Sequence, residues 1–183
     1  MADLLDDHDD EIEEFDDLEE LEDESESETE LTDEGDVAVA AWHEDGRWTL
    51  AALPDAQDIP QIITRLKAQQ TNGGALALIA IDEEFFMLIR VLGTHISLFL
   101  SDATCALDYE VAEEFLEIAD LPMPEEDDES FPVGHLEIFA DLGMNQMEIR
   151  AICADEELFP DEQLEAIASR LGFGEKFAEL IGL

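Results

Sequence analysis

The stretch ALALIAIDEEFFMLIRVLGTHISLFLSD, residues 75–102, decides the fold. It consists of short apolar runs rich in branched and aromatic side chains, which are typical of strands. Breaks fall at Asp82–Glu84 and at Gly93-Thr94, where glycine in the first turn position suits a type II′ turn. The stretch therefore predicts three antiparallel strands in series.

Alternation of side chains gives the second and third of these strands a first apolar face. We expect Leu92 to lie opposite His95, because the turn between them has two residues. Residues that share this face are then Phe85, Met87, Ile89, Val91, Ile96, Leu98 and Leu100.

The reverse face of the same strands carries Phe86, Leu88 and Phe99 beside Arg90 and Ser97. A face this apolar is not left exposed to water. We therefore expect a cover, either the C-terminal helices or another chain. If another chain covers it, Phe86, Leu88 and Phe99 bind that partner.

A hairpin is predicted upstream, in VAVAAWHEDGRWTLAAL, residues 37–53. Asp45-Gly46 suits a type I′ turn, which needs positive φ at both central residues. This turn pairs Glu44 with Arg47 and places Trp42 on the face opposite to Trp48. Residues that share the Trp48 face are Val37, Val39, Ala41 and Leu50.

Helices are predicted in three further segments. DIPQIITRLKAQQTNGG, residues 58–74, has Asp58 as N-cap and an apolar stripe of Ile59, Ile62, Ile63 and Leu66. DYEVAEEFLEIADL, residues 108–121, is predicted to be capped by Asp108. Residues 145–183 read as helical, with Asn145 and Glu148 at capping-box spacing and Pro160 opening a second helix.

The order strand–strand–helix–strand–strand–strand–helix predicts an α+β domain with a five-stranded antiparallel sheet. Predicted divisions are an acidic disordered tail (1–36), the sheet domain (37–120), an acidic loop (121–134) and a C-terminal helical segment packing on the same domain (135–183). The element order resembles the profilin-like platforms, which include the longin and roadblock domains. That resemblance implies a docking module rather than a catalyst.

Charge limits the partners of the chain. Of its 183 residues, 51 are Asp or Glu and 7 are Lys or Arg, a net charge of −44. Residues 1–36 contain 21 of the acids and no Lys or Arg, so 30 acids and 7 basic residues remain and the rest nets −23. Nucleic-acid and anionic-membrane binding depend on Lys and Arg and are not expected. A basic protein surface, a purely solubilising role or tolerance of high salt stays open.

The tail combines this charge with spaced apolar residues. Ile12, Phe15, Leu18 and Leu21 recur every three residues and would share one broad face of a helix. One hypothesis is that this segment folds on binding, into a groove rimmed by Lys and Arg. The alternative is a solubilising leader whose apolar residues are incidental.

Cysteine usage and hydropathy indicate a cytoplasmic protein. Cys105 and Cys153 are solitary and lie beside apolar residues, which favours buried thiols in a reducing compartment over a disulfide or metal ligand. The N-terminus lacks the basic and apolar regions of a signal peptide, and no run of 18 apolar residues occurs. No metal or cofactor is predicted.

Longer motifs carry a family resemblance. DEEFFMLIRV (82–91), LSDATCALDYEVAEEF (100–115) and ADLGMNQMEIRAICADEELFPDEQLEAIASRLGFGEKF (140–177) resemble the actinobacterial tRNA adenosine deaminase-associated proteins. The resemblance covers roughly residues 36–182. It implies a tRNA adenosine deaminase as a partner and assigns no catalytic residue.

The chain itself lacks the deaminase signature. Zinc deaminases combine H-x-E with P-C-x-x-C, and here His135–Glu137 supplies the first part while the cysteine pair is missing. We therefore expect a non-enzymatic docking protein for a basic protein surface. Two alternatives stay open: a small-molecule enzyme using distant groups such as Asp82, Glu83, Arg90 and His95, and a nucleic-acid mimic that inhibits a basic protein.

Overall fold

The structure, a computed structural model, describes residues 35–69 and 71–183. In these residues, six strands form one antiparallel sheet in the order β2-β1-β3-β4-β5-β6. The strands are β1 (Val37–Glu44), β2 (Arg47–Ala52), β3 (Ala75–Ile81), β4 (Phe85–Leu92), β5 (His95–Leu100) and β6 (Val133–Gly134). The α+β class is confirmed.

The number of strands was predicted wrongly, because β6 was assigned to the acidic loop. It consists of Val133 and Gly134, paired with Leu100 and Phe99 of β5. Two residues carry no alternating pattern, so tertiary pairing creates this strand where the local sequence indicates a loop.

Five α-helices complete the described chain: α1 (Ile59–Lys67), α2 (Glu110–Ile118), α3 (Gln146–Cys153), α4 (Pro160–Leu171) and α5 (Gly174–Ile181). The predicted Asp58 cap is confirmed, because its side chain accepts a bond from the Gln61 N–H. The capping box of Asn145 and Glu148 is also confirmed. The Asp108 cap is wrong, since α2 is preceded by Tyr109 without a side-chain cap, and Asp108 ends a 3₁₀ turn.

The two turns fix the predicted strand register. Glu44 lies opposite Arg47, and Leu92 lies opposite His95, as expected. Asp45 and Gly46 have φ of 51° and 79°, and Gly93 has φ of 63°. Both hairpins thus have the backbone that their turn residues favour.

Each face of the sheet is covered by helices. The face of Phe85, Met87 and Ile89 packs under α1 and α2, whose Ile62 and Phe115 are buried there. The reverse face packs under the C-terminal segment, with these residues in the same cluster: Phe139, Met144, Ile149, Leu164, Ile167, Phe173 and Phe177. The cover that the sequence left open is therefore supplied by the chain's own C-terminal helices.

Arg90 fastens that cover to β4. Its Nη2 donates to the Gly73 carbonyl and to Asp141 Oδ2, both at 2.9 Å, and its Nη1 donates to the Ile138 carbonyl at 2.9 Å and to Asp141 Oδ1. The Arg90 side chain is buried, whereas that of Asp141 is more than half exposed. A buried guanidinium needs such partners, because desolvation of an unpaired charge is costly.

We predict that Asp141→Asn lowers the free energy of unfolding by about 1–2 kcal/mol at neutral pH, because the buried guanidinium loses its counter-ion. The Arg90 hydrogen bond lowers the pKa of Asp141 from its ordinary value of 3.8. The contribution is therefore present above that value and is lost as pH falls through the lowered pKa. Denaturant titrations should show that the difference in free energy of unfolding between the variant and the native chain is smaller in acid than at pH 7. Asp127→Asn, in the acidic loop, is the matched control, and an equal loss in both variants would contradict the assignment.

The short strand β6 depends on Gly134. Its φ is +107°, and a Cβ atom added there would lie 2.3 Å from the Leu98 carbonyl oxygen. Gly143 has a similar φ of +97° but open space around it. We predict that Gly134→Ala destabilises the protein by at least about 1 kcal/mol more than Gly143→Ala, because only the first adds a backbone collision. Thermal unfolding of the two variants measures this difference, and equal losses would contradict it.

Candidate functional site

The acidic residues that flank the strands gather at one end of the sheet. Strand β1 begins where β3 ends, with Val37 opposite Ala80, and β4 begins where β5 ends, with Met87 opposite Leu100. The turns and termini at this end carry several carboxylates. We call the following set the anionic end: Asp36, Asp82, Glu83, Glu84, Asp102 and Asp108.

Hydrogen bonds join several members of the anionic end. Asp36 Oδ1 accepts from the Asp82 N–H at 3.0 Å, and Asp36 Oδ2 accepts from Gln57 Nε2 at 3.1 Å. The Tyr109 hydroxyl donates to Asp82 Oδ2 at 3.0 Å. Asp36, which the sequence assigned to the tail, is 8% exposed and is thus integrated into the sheet domain.

The β3–β4 turn at the anionic end has a strained backbone. Asp82 and Glu83 have φ of 49° and 56°. Aspartate tolerates this region, as Asp45 does at 51°, so the strain falls on Glu83, whose place glycine or asparagine would take more readily. A non-glycine residue held there costs of order 1–3 kcal/mol, least for aspartate. Acidic residues thus stand where Asn-Gly would give a relaxed type I′ turn, which marks the turn as a candidate for function.

Burial and this negative field together raise the pKa of two neighbouring groups. Burial, followed by the hydrogen bond to Asp82 and the charges of Asp82 and Glu84, raises the pKa of Tyr109 to about 12. Burial, followed by Asp102, Glu84 and Asp108, raises the pKa of Cys105 to about 12. The Cys105 thiol therefore stays protonated near neutral pH and is a poor nucleophile.

The Cys153 thiol has the same character, and burial is again the leading cause. Burial raises the pKa of its thiol to about 12, although the charge of Arg150 opposes the shift. Both cysteines are free and half-buried. Their surroundings fit the predicted role as packed thiols.

Three of the seven basic residues lie towards the opposite end of the sheet, where Glu44 and Asp45 also lie. Arg47 follows the β1–β2 turn at this end. Arg65 and Lys67 lie in the last turn of α1, from which the chain returns to the start of β3 at Ala75. These three cations therefore lie away from the anionic end, whereas Arg150 lines a cavity together with Ser101, the chain neighbour of Asp102.

The groups considered for an enzyme site are dispersed. Asp82 and Glu83 lie in the β3–β4 turn, whereas His95 lies at the other end of the sheet, opposite Leu92. Arg90 is engaged by Asp141 and by two carbonyls. The structure does not bring these four residues together.

In the His135–Glu137 motif, His135 hydrogen-bonds to strand β5 at the edge of the sheet. The His135 N–H donates to the Leu98 carbonyl at 2.8 Å, and its Nδ1 accepts from the Leu98 N–H at 3.2 Å. The two thiols of the chain, Cys105 and Cys153, lie in separate core clusters. The ligand set of a zinc deaminase is therefore not assembled.

One group of carboxylates in the described chain has ligand-like proximity. Oxygens of Glu125, Asp127 and Asp128 lie within 4.8 Å of one another, and all three residues are exposed. Asp128 Oδ2 also accepts from the Glu125 N–H, which is an ordinary turn contact. These residues form part of the predicted acidic loop.

The candidate partner-binding residues fall in two places. Phe86, Leu88 and Phe99 are fully buried beneath the C-terminal helices. The chain itself therefore covers the face that these residues were expected to offer to a partner if another chain covered it. The tail candidates, Ile12, Phe15, Leu18 and Leu21, lie outside the described residues. No helix in ranges 35–69 and 71–183 is long and apolar enough to span a bilayer.

Comparison with known proteins identifies the family. The model of the Rv3753c-like tRNA adenosine deaminase-associated protein matches residues 36–174. The chain belongs to this family. The matched span begins at Asp36 and contains the whole anionic end, while it omits the preceding 35 residues.

A curated relative supports the same assignment. Protein Rv3753c of Mycobacterium tuberculosis (strain ATCC 25618 / H37Rv) is 34% identical over 153 residues, which cover 78% of this chain and 86% of the relative. The resemblance found in the sequence motifs is thereby confirmed. No solved structure matches the chain, and its likeness to profilin-like platforms stays a prediction.

The strained turn gives a test that separates stability from function. We predict that Glu83→Gly raises the free energy of unfolding by about 1 kcal/mol, because glycine adopts the φ of 56° without strain. Glu84→Gly removes the same charge from the next residue, which does not have positive φ, and should not stabilise. Urea titrations of both variants provide the comparison, and a stabilisation common to both would point to charge relief instead of backbone strain.

Proposed function

We propose that the chain is a non-enzymatic, cytoplasmic docking protein whose anionic end binds a basic surface of another protein. The observation that carries this proposal is the concentration of carboxylates at one end of the sheet, in a turn that keeps acidic residues despite positive φ. Residues 1–36 add further negative charge to the chain, since they contain 21 of its 51 acids. Such a charge distribution speeds encounter with a cationic surface.

The partner that we propose is a tRNA adenosine deaminase. The name of the family supports this choice. An enzyme that binds tRNA needs Lys and Arg against the phosphates, so it offers the kind of surface that the anionic end complements. The two polyanions would then compete for that surface, and docking would lower the enzyme's affinity for tRNA.

A role without catalysis is supported by the candidate groups themselves. Both thiols have a pKa of about 12, so neither supplies a thiolate at neutral pH. Asp82 and His95 lie at opposite ends of the sheet, and Arg90 is committed to holding the C-terminal cover. Purified protein without its partner should therefore turn over no metabolite.

The test is a binding titration between the full-length chain and a purified tRNA adenosine deaminase from the same organism. We predict that neutralising Asp82, Glu83, Glu84 and Asp108 to their amides weakens binding about tenfold at about 50 mM salt, because surface charges set encounter and orientation. The effect should shrink at about 300 mM salt, where screening is stronger. Added tRNA should displace the native chain.

The control variant neutralises four acids of the acidic loop, Glu125, Glu126, Asp127 and Glu129, so that net charge changes equally. This variant should bind within about threefold of the native chain, a difference below 1 kcal/mol. If both variants bind equally weakly, affinity depends on the net charge of the chain and not on its position, which would contradict a docking site at the anionic end. Absence of binding by the native chain at low salt would overturn the proposed partner.

A further inference from the structure

Strand β2 is an outer edge of the sheet, paired on one side with β1. In a hairpin with a two-residue turn, the residues that flank the turn form the hydrogen-bonded pair, here Glu44 and Arg47. Bonded pairs then recur at every second residue, in agreement with the Leu53 N–H donating to the Ala38 carbonyl at 2.9 Å. Backbone groups of Trp48, Leu50 and Ala52 therefore point away from β1, to the open side.

Among residues 35–69 and 71–183, the side chain of Lys176 occupies part of this open side. Lys176 of α5 donates from Nζ to the Trp48 carbonyl at 2.7 Å. A lysine placed in this way hinders pairing at that residue and limits edge-to-edge association. The N–H and carbonyl groups of Leu50 and Ala52 point to the open side beyond it, which is room for a short added strand.

A groove runs beside the same edge, between β2 and α5. Its volume is about 580 Å³. Trp48 forms its aromatic wall and contacts Phe173 at 4.5 Å and, in a T-shaped arrangement, His43 at 5.2 Å between ring centroids. Leu50 and Leu180 add apolar surface, and Leu180 is 42% exposed.

Charged groups on the rim of the groove favour a cationic ligand. The rim carries the carboxylates of Glu44, Asp45 and Glu179 against the cations Arg47 and Lys176. The Lys176 ammonium is already held by a carbonyl, and the domain around the groove is strongly negative. An indole face beside carboxylates is also a favourable site for a guanidinium or ammonium group.

We propose that β2 binds an extended segment of a basic protein in which Arg or Lys alternates with apolar residues. The segment adds as a seventh strand: its backbone pairs with Leu50 and Ala52, one set of side chains enters the groove at Trp48 and Leu180, and its cations meet the rim carboxylates. This inference rests on the proposed function for the class of partner, but it assigns a second surface and a different mode of recognition. A second copy of this chain is disfavoured, because both copies carry the same net negative charge.

The test uses a synthetic probe, the capped peptide acetyl-Gly-Arg-Val-Arg-Val-Arg-Gly-amide, titrated into the full-length chain at about 300 mM salt to suppress unspecific attraction. Trp48 fluorescence and amide chemical shifts should change together in β2 and α5. The same peptide with N-methyl groups on its pairing amides keeps its charge but cannot add as a strand. It should bind at least about tenfold more weakly, and equal affinity for the two peptides overturns the inference.

Protein variants test the edge directly. Ala52→Pro removes an outward N–H that β1 does not use, and proline is tolerated at such edge positions. Ala52 is exposed, so this variant and its control Ala52→Ser leave the core intact. Affinity for the peptide should fall at least about fivefold for Ala52→Pro and stay within twofold for Ala52→Ser. Leu50→Pro and Leu50→Ala give a second pair at the centre of the edge, and identical affinities within both pairs overturn the inference.

The two proposals fail in distinguishable ways. If Ala52→Pro loses the peptide while the amide variants of the anionic end keep it, strand addition stands on its own. If the deaminase binds the native chain and Ala52→Pro equally, and the peptide does not distinguish them either, the β2 proposal fails while docking through the anionic end is unaffected.

Discussion

Strands β3 and β4 are apolar on both faces, and this constraint governs the rest of the structure. Every residue of β3 from Ala75 to Ile81 is buried. Water must therefore be excluded from two sides, which a sheet achieves only with a layer on each face. The helices α1 and α2 form one layer and the C-terminal helices form the other. Arg90 of β4 is a buried charge beneath the second layer, and it bonds to Asp141 in that layer and to Gly73 in the segment before β3.

Because both faces are occupied, the turns and edges are the parts of the sheet left to interact with other molecules. The anionic end could have been found from sequence, since the register that Asp45-Gly46 and Gly93-Thr94 specify also brings Asp82 and Asp102 to one end. The participation of Asp36 could not, because the residue looks like the last acid of an acidic run. Its burial depends on hydrogen bonds to residues far along the chain.

Local turn chemistry explains why so much of the fold was predictable. Two-residue turns admit few backbones, so the residues in them determine which side chains share a face. The features that the sequence did not predict depend on tertiary contacts instead. Strand β6 forms because Gly134 can approach the backbone of Leu98 closely. Arg90 forms an ion pair with Asp141, which lies 51 residues later in the chain. Neither contact leaves a periodic pattern in the sequence.

The position of the second cover also has a consequence for biosynthesis. Strand β5 is complete at Leu100, yet Phe177, which helps to close the reverse face, follows 77 residues later. At a synthesis rate of about 5–20 residues per second, the apolar reverse face stays uncovered for roughly 4–15 s before the C-terminal helices are made. During that interval the nascent chain already displays its acidic leader, so neighbouring nascent chains repel one another while they are most prone to aggregate.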